Sequence, residues 1–534
     1  MDQRRLPWGL PAVWLGAVPA AFLGLVMVAP LVRLATEAAA GAHGQMVAEL
    51  WTDDYLRWRI VWSFVQAFAT CVAALALGLP VAWVLARFQF RGRALVLRLL
   101  MLPFVVPTLV AAMGVLALWG PRGWISGWMG VDLQDTPWLL LYGNLFFNLC
   151  LVVRAGVDAL GQVSAARVAA ARTLGATPWR VFWRVEWPAI VPWLASALCL
   201  VFLYCFSGFG LALVLGGQRY ATAEVEIYTL VAHELKLAQA GVLALCMALL
   251  TGLVALAYAW IEKGLSTPAR ADLIALRRPA GMGAWSAVAA ALLILGVFCA
   301  APLLAIVAGA AAAGFDAWAS VFDADSLHAI GNTLRFTTVA LLLATVLGVA
   351  HALAARRSVW LRASAFLPFI VSPVTVAFGL LLLYPRWSAS MLMLVAAYAL
   401  LAYPFVAKSL GAALDQLPAH LTQAARTLGA TPWRLFWRVT LPLVAPSLRR
   451  GMAFAAATAL GEFAVTLFLS RPEWATLTTL IYERLGRPGA ANQDAALVLA
   501  TLLMLLALAA FMLIEQPVAA RTMPRPRPAG VGHA

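Results

Sequence analysis

Residues 170–188 read AARTLGATPWRVFWRVEWP, and residues 424–442 read AARTLGATPWRLFWRVTLP. Sixteen of these nineteen positions are identical at a constant offset of 254 residues, whereas most of the flanking sequence differs. The chain is therefore an internal duplication that has kept one segment almost unchanged. A segment kept in both halves is expected to contact the same kind of partner twice.

The composition is that of an integral membrane protein. The 534 residues are 63% hydrophobic and 11% charged, whereas about a quarter of the residues of a soluble chain are charged. Apolar runs long enough to cross about 30 Å of hydrocarbon as helices occur at twelve places. They are residues 11–35, 60–86, 98–119, 137–157, 189–215, 241–261, 283–312, 331–355, 361–384, 389–410, 443–470 and 495–515. We therefore predict an all-α protein with about twelve transmembrane helices.

The basic residues predict the orientation in the membrane. They concentrate in alternate connecting segments, near Arg4 and Arg5 and within residues 87–98, 154–184, 263–278, 356–362, 408–450 and 521–527. The positive-inside rule makes these segments cytoplasmic, with both termini inside. The basic cytoplasmic segments then account for the net charge of +15. A nucleic-acid partner is not expected, because the basic residues alternate between loops and form no single patch.

The repeat divides the chain into two halves of six predicted helices each. Residues 63–78 align with 333–348, and residues 102–106 with 367–371. An even number of spans gives both halves the same orientation, related by a pseudo-twofold axis along the membrane normal. We predict a first half at 1–262, a cytoplasmic linker at 263–282, a second half at 283–516 and a mobile cytoplasmic tail at 517–534. Residues 1–20 resemble a signal peptide, but an uncleaved first helix keeps six spans in each half.

The repeated segment has a readable local structure in each copy, within residues 164–188 and 418–442. In the first copy a short helix ends at Gly175, a residue suited to a left-handed stop. Thr177 then supplies an N-cap hydroxyl, and Pro178 occupies the first position of a second helix. The same features recur at Gly429, Thr431 and Pro432. The sequence predicts a helix-turn-helix at the membrane surface in both halves.

The repeated segment resembles the EAA loop of ABC importer permeases, whose approximate pattern is Glu-Ala-Ala, three residues, Gly, nine residues and Ile-x-Leu-Pro. The first copy matches this pattern at Ala169, Ala170, Ala171 and Gly175, and the second at Gln423, Ala424, Ala425 and Gly429. Ala169 and Gln423 replace the leading glutamate, which puts any salt bridge through that residue in doubt. Two matches, each before the fifth span of a six-helix repeat, identify the chain as a member of the type I ABC importer permeases, with two halves fused.

The resemblance implies that both loops couple the chain to separate ATPase subunits, which bind ATP and Mg²⁺. The coupling residues implied are Ala169, Ala170, Ala171, Gly175, Thr177 and Pro178 in the first loop, and Gln423, Ala424, Ala425, Gly429, Thr431 and Pro432 in the second. A Walker A motif needs a Gly-Lys pair, and none of the three lysines, Lys236, Lys263 and Lys408, follows a glycine. The chain is thus expected to be a transport subunit without enzymatic activity or cofactor. Its near-identical loops predict two copies of one ATPase.

Over most of its length the chain is similar to the fused permeases of thiamine importers. The similar stretches include residues 51–56, 63–68, 146–149, 215–217, 461–465 and 493–496. This resemblance implies a bacterial inner-membrane importer that receives thiamine or its phosphates from a periplasmic binding protein and moves them by alternating access. Fused ferric-iron permeases share the architecture and remain the alternative within the family. Outside the family, a twelve-helix secondary transporter remains possible.

A few residues are candidates for the translocation pathway. Glu462 lies within an apolar span, where a carboxylate is costly and is usually functional or paired. It could face a central cavity and favour a cation, or it could form a polar contact with a neighbouring helix. Phe463, Phe206, Phe209 and Tyr204 could present aromatic faces to a cationic ring, although packing is the more common role of such residues.

The sequence predicts neither a metal site nor an intramembrane enzyme. The six cysteines all fall in apolar segments without paired metal-ligand spacing, and the six histidines are scattered along the chain. An intramembrane enzyme would need His, Asp or Ser clusters at membrane depth, and a secondary transporter would need several charged residues in its spans. Glu462 is almost alone in that respect.

Overall fold

A computed structural model describes residues 12–41, 52–264, 275–356, 358–387, 390–469 and 471–515. These residues are almost entirely helical, and the β-pairing among them is an isolated bridge between Phe88 and Arg277. The predicted tail at 517–534 lies outside the described residues. So do residues 265–274 of the predicted linker.

The helices of the first half follow the predicted apolar runs, with several interruptions. In chain order they are α1 (Ala12–Leu23), α2 (Ala29–Gly41), α3 (Asp54–Arg87), α4 (Arg93–Leu99), α5 (Leu102–Val105), α6 (Thr108–Trp119), α7 (Trp124–Met129), α8 (Pro137–Gly161), α9 (Ala165–Thr173), α10 (Pro178–Val181), α11 (Trp187–Phe206), α12 (Gly210–Leu215), α13 (Ala223–Ala232) and α14 (Leu237–Gly264). Single π-helical turns at Gly24–Val28 and Phe182–Glu186 join α1 to α2 and α10 to α11.

The second half repeats most of this order, but no helix of its described residues corresponds to α7. Its helices are α15 (Met282–Leu295), α16 (Ala301–Ala312), α17 (Gly314–Ala319), α18 (Ala324–Ala355), α19 (Val359–Ser364), α20 (Leu367–Ile370), α21 (Pro373–Leu383), α22 (Met391–Asp415), α23 (Ala419–Thr427), α24 (Pro432–Leu435), α25 (Leu441–Leu460), α26 (Ala464–Leu469), α27 (Leu477–Gly486) and α28 (Ala490–Ile514). Gly296–Ala300 and Phe436–Thr440 are π-helical turns, and Ser320–Phe322 and Pro472–Trp474 are 3-10 turns.

Ten helices of the described residues are long and apolar enough to cross a membrane. The segments Trp360–Ile370 and Pro373–Leu383 are bent by 95° relative to each other, and they form an eleventh span if they are counted together. The twelfth predicted segment, 443–470, falls on α25 and α26. This segment is not among the ten apolar spans, because Arg449 and Arg450 lower the mean hydropathy of the 20-residue α25. All twelve predicted segments thus fall on helices, but 361–384 is sharply bent and 443–470 is less apolar than the other spans.

Four of the predicted spans are broken in the membrane, at equivalent places in the two halves. Pro107 separates α5 from α6, and Ser372 separates α20 from α21. Residues 207–209 separate α11 from α12, and residues 461–463 separate α25 from α26. Proline at a helix start removes a backbone donor and resists a continuous helix, and glycine at 208 and 461 favours the other breaks. Backbone polar groups freed at membrane depth must line a cavity or find partners in the protein.

The first helix of each half packs on the opposite half. Helix α1 contacts α18, and α2 contacts α21, while α16 contacts α6. Gly114 of α6 and Gly379 of α21 are repeat equivalents that allow these close approaches. A Cβ at Gly114 would lie 2.6 Å from the carbonyl oxygen of Pro302, and one at Gly379 would lie 2.8 Å from Pro30 Cβ. The exchange of first helices makes the two halves one interlocked body.

Candidate translocation site and coupling loops

A cavity of about 300 Å³ lies between the two halves, where the four helix breaks meet. Its walls include Val105–Thr108 and residues 207–210 of the first half, and Val371 and residues 461–464 of the second half. Interrupted helices at membrane depth are a recurring way to build a solute site, because they expose backbone groups and short polar side chains. The volume is at the lower end of the range for small-molecule pockets.

Glu462 is one of the residues that line this cavity. The residue is 9% exposed, and its Oε1 accepts a hydrogen bond from the backbone N–H of Val465 at 3.0 Å. Its backbone carbonyl accepts from Thr478 Oγ1 at 3.0 Å. Glu462 thus lines the cavity while its carboxylate caps the first turn of α26, and its role in favouring a cation stays a prediction. The equivalent position in the first half is Gly208, so the charge is on one side only.

Three of the four predicted aromatic residues also line the cavity. Phe209 and Phe463 are repeat equivalents that stack across the boundary between the halves, with ring centroids 5.9 Å apart and an interplanar angle of 29°. Tyr204 lines the cavity and meets the edge of Phe104 at 5.8 Å. Phe206 is placed differently. It is buried against Phe202, with centroids 5.4 Å apart, and is not among the lining residues.

Three amide residues that the sequence analysis did not select line the cavity from the first half. They are Gln66 on α3 and Asn144 and Asn148 on α8. Their repeat equivalents are Phe336, Tyr398 and Ala402, so these amides have no counterpart in the second half. Amides in the middle of apolar spans are a signal for a pathway, and comparison of each span with its repeat equivalent could have identified them.

The two repeated loops have the same backbone geometry. Helices α9 and α23 are followed by Gly175 and Gly429, two residues beyond their last residues, and the φ angles of these glycines are +77° and +76°. The N–H of the following alanine, Ala176 or Ala430, donates back into the preceding helix at 3.1 and 3.0 Å. This is the Schellman motif, in which a glycine in the left-handed conformation ends a helix. The local structure agrees with the sequence pattern.

The second helix of each loop begins as the sequence predicts. Thr177 Oγ1 accepts from the N–H of Arg180, and Thr431 Oγ1 accepts from the N–H of Arg434, both at 3.4 Å. A π-helical turn, Phe182–Glu186 or Phe436–Thr440, joins each of them to the next membrane helix.

The tips of both loops are exposed in the same pattern. Leu174 and Leu428 are each 87% exposed. Ala169, Ala170, Gly175 and Thr177 are exposed in the first loop, as are Gln423, Ala424, Gly429 and Thr431 in the second, and Ala171 and Ala425 are half-buried. An exposed leucine at the same tip in both halves offers an apolar contact to a partner. The helix-terminal residues Pro178 and Pro432 occupy equivalent positions.

The fold and the repeated loops define a fused, two-domain membrane permease. The family profile described as "Binding-protein-dependent transport system inner membrane component" matches residues 75–267 and 340–523. The chain belongs to this family of ABC importer permeases, which are multi-pass proteins of the bacterial inner membrane. Membership implies a separate ATPase and a substrate-binding protein as partners.

Two relatives that align with most of the chain are permeases of thiamine transport systems. The chain is 28% identical over 502 residues to the thiamine transport system permease protein ThiP of Haemophilus influenzae, covering 86% of this chain and 89% of that protein. It is 29% identical to ThiP of Salmonella typhimurium, covering 97% and 98% of the two chains. The crystal structure of a bacterial ABC transporter involved in the import of alginate aligns with 46% of this chain, at 16% identity and a TM-score of 0.40. The alignment covers 93% of that chain.

Proposed function

We propose that this chain is the permease through which an ABC importer moves thiamine, or its phosphates, into a bacterial cell. The observation that supports this most is the similarity to ThiP proteins along nearly the whole chain, including both halves. The cavity adds chemical support, because its wall combines the Glu462 carboxylate with aromatic rings. Thiamine is an organic cation with two aromatic rings, and carboxylates and aromatic faces both attract such cations.

The same cavity is a poor match for ferric iron. Protein sites for iron use several histidine or carboxylate ligands around one ion. Among the lining residues Glu462 is the one carboxylate, and histidine is absent from this set. Across the described part of the chain, no three His, Cys, Asp or Glu residues are grouped as metal ligands would be. We therefore favour the organic cation over iron as the solute.

We infer that the two repeated loops bind two copies of one ATPase. Their equal backbone geometry, equal exposure pattern and near-identical sequence support a common docking groove on the partner. Closure of the ATPase pair on ATP would draw the loops together. Because each second loop helix continues into α11 or α25, such a movement would act directly on the helix breaks at the cavity, which would alternate its opening between the two sides.

The orientation follows from the loops. With loops, linker and both termini in the cytoplasm, the N-terminal ends of α3 and α18 face outward. Buried or half-buried ion pairs lie there, Arg59 with Glu226 at 3.3 Å and Arg484 with Asp323 at 2.8 Å. We propose that the loaded periplasmic binding protein docks on this end and releases thiamine toward the cavity.

The proposal is tested by uptake in a strain that lacks this chain. Accumulation of radiolabelled thiamine and of ferric iron is measured in the deletion strain, and again after the wild-type chain is restored from a plasmid. We expect thiamine accumulation to fall to background and to recover with the plasmid, while iron accumulation stays unchanged. Unchanged thiamine accumulation with a loss of iron accumulation would overturn the substrate assignment.

A further inference from the structure

Gln66 anchors a hydrogen-bond relay that leads to the cavity. Its Nε2 donates to the backbone carbonyls of Ser63 and Cys205, at 3.0 and 2.8 Å. Only the nitrogen of an amide can donate, so these two carbonyls fix the orientation of the Gln66 side chain. Its Oε1 is therefore directed to Asn144, whose Nδ2 donates to it at 2.7 Å. The orientation of the Asn144 amide is fixed in turn.

Asn148 is held in a similar way. Its Nδ2 donates to the backbone carbonyl of Asn144 at 2.9 Å and lies 3.2 Å from Cys205 Sγ. With both nitrogens engaged, the oxygens of Asn144 and Asn148 remain, and no hydrogen bond from the described residues reaches either oxygen. Both residues line the cavity and are about nineteen-twentieths buried, with exposures of 5% and 4%.

A third polar group on the same wall is also unpaired. Thr222 lines the cavity at 1% exposure, and its buried Oγ1 has no hydrogen-bond partner among the described residues. Buried polar atoms are nearly always hydrogen-bonded, so the unpaired Thr222 hydroxyl points to a ligand or water in the cavity that Asn144 and Asn148 also line. The amide oxygens are acceptors without a proton to give. This wall of the first half is thus suited to a solute group that donates N–H bonds.

We propose that Asn144 and Asn148, the amide subsite, bind the amino group of an amino-substituted aromatic ring, while Glu462 on the opposite half attracts the positive charge of the same solute. The inference rests on the proposed function, because it concerns how an organic cation is oriented in the same cavity. The amide subsite then determines specificity. It would reject an analogue whose amino group is replaced by an oxo group, since two acceptors would face each other.

The test compares thiamine with oxythiamine, in which an oxo group replaces the amino group of the pyrimidine. The purified permease, with its ATPase and binding protein, is reconstituted in liposomes. Binding protein is supplied fully loaded with either compound at equal concentration, so that its own selectivity does not enter. The initial ATP-dependent uptake rates give a thiamine-to-oxythiamine ratio for wild type, N144A and N148A. Alanine at 148 matches its repeat equivalent Ala402, which favours normal folding.

We expect the ratio to fall by about threefold to tenfold in each variant, as for the loss of one hydrogen bond. The control is T251V, because Thr251 is buried outside the cavity lining and its hydroxyl donates to the Met247 carbonyl. This control should keep the wild-type ratio. Since the result is a ratio of two rates, lower yield of a variant does not affect it.

The outcomes separate the two proposals. Wild-type vesicles that take up thiamine, with the same ratio in N144A and N148A as in wild type, would overturn the amide subsite and leave the proposed function intact. Wild-type vesicles that take up no thiamine would overturn the proposed substrate and the amide subsite with it.

Discussion

Arg87 Nη2 lies 2.7 Å from Glu186 Oε1, and both side chains are buried. This ion pair joins the end of α3 to the end of the first repeated loop. The equivalent of Glu186 in the second loop is Thr440, one of three positions at which the repeated segments differ. The two loops therefore present the same tip to solvent while one of them has an additional charged anchor to its own half.

Replacing Glu186 with threonine should destabilise the protein strongly. The substitution leaves the guanidinium of Arg87 buried without its carboxylate, and removal of one partner of a buried ion pair costs about 3–5 kcal/mol. We expect the apparent unfolding midpoint of detergent-purified E186T to fall by several degrees. T440A, at the equivalent position, should change the midpoint little. Equal midpoints for E186T and T440A would show that the ion pair does not anchor the loop.

The charge of Glu462 should be needed for transport of the cation. E462Q keeps the shape of the side chain and an oxygen that can accept from the N–H of Val465, but it removes the negative charge from the cavity. Interactions with a charged group contribute about 1.5–3 kcal/mol, so we expect thiamine uptake to fall about tenfold or more in a complementation assay. The matched control is E473Q, at an exposed carboxylate outside the cavity, which should transport normally. Wild-type uptake by E462Q would remove Glu462 from the pathway.

The exposed leucines of the loops should be required for ATPase binding. L174D and L428D each place a charge on an apolar loop tip, and loss of a central apolar contact weakens an interface by about 2 kcal/mol or more. Affinity purification of each variant should recover at least tenfold less ATPase than wild type. The control is F315D, since Phe315 is also exposed, at 85%, but belongs to the opposite end in the proposed orientation. Full ATPase recovery with both loop variants would contradict the coupling role.

The contacts between the first span of each half and the opposite half should not tolerate a side chain at Gly114 or Gly379. G114A and G379A each bring a Cβ into contact with the opposite half, at 2.6 Å from Pro302 and 2.8 Å from Pro30. Overpacking of this kind costs about 1–3 kcal/mol. We expect a lower unfolding midpoint for both variants. G331A is the control, because a Cβ at Gly331 of α18 would meet no atom within 4 Å. A midpoint for G114A equal to that of G331A would show that the crossing is loosely packed.

Local signals in the sequence were sufficient for the loops and for the location of the helices. Gly175 and Thr177 act on backbone groups within a few residues, so their roles could be predicted from spacing alone. Hydropathy located the spans because a membrane helix must satisfy its own backbone. Hydropathy did not locate the breaks at Pro107 and Gly461, because the residues on both sides of each break are apolar.

Contacts between distant segments could not be predicted in this way. The packing of α2 and α16 on the opposite halves depends on the close approaches at Gly379 and Gly114, which a single sequence does not reveal. Hydrogen bonds link Gln66, Asn144 and Asn148 across two helices, and only the fold places these residues on a common cavity. Phe206 illustrates the converse, because helical periodicity did not indicate that it would pack on Phe202 rather than line the cavity.

The central claim is that this chain carries thiamine between its two halves when ATP acts on its loops. The most direct measurement is accumulation of radiolabelled thiamine in liposomes that contain the purified permease and ATPase, with loaded binding protein supplied on the opposite side from ATP. We predict accumulation against a gradient that requires Mg-ATP on the side of the loops. Absence of accumulation with all components present, or equal accumulation without ATP, would contradict the account.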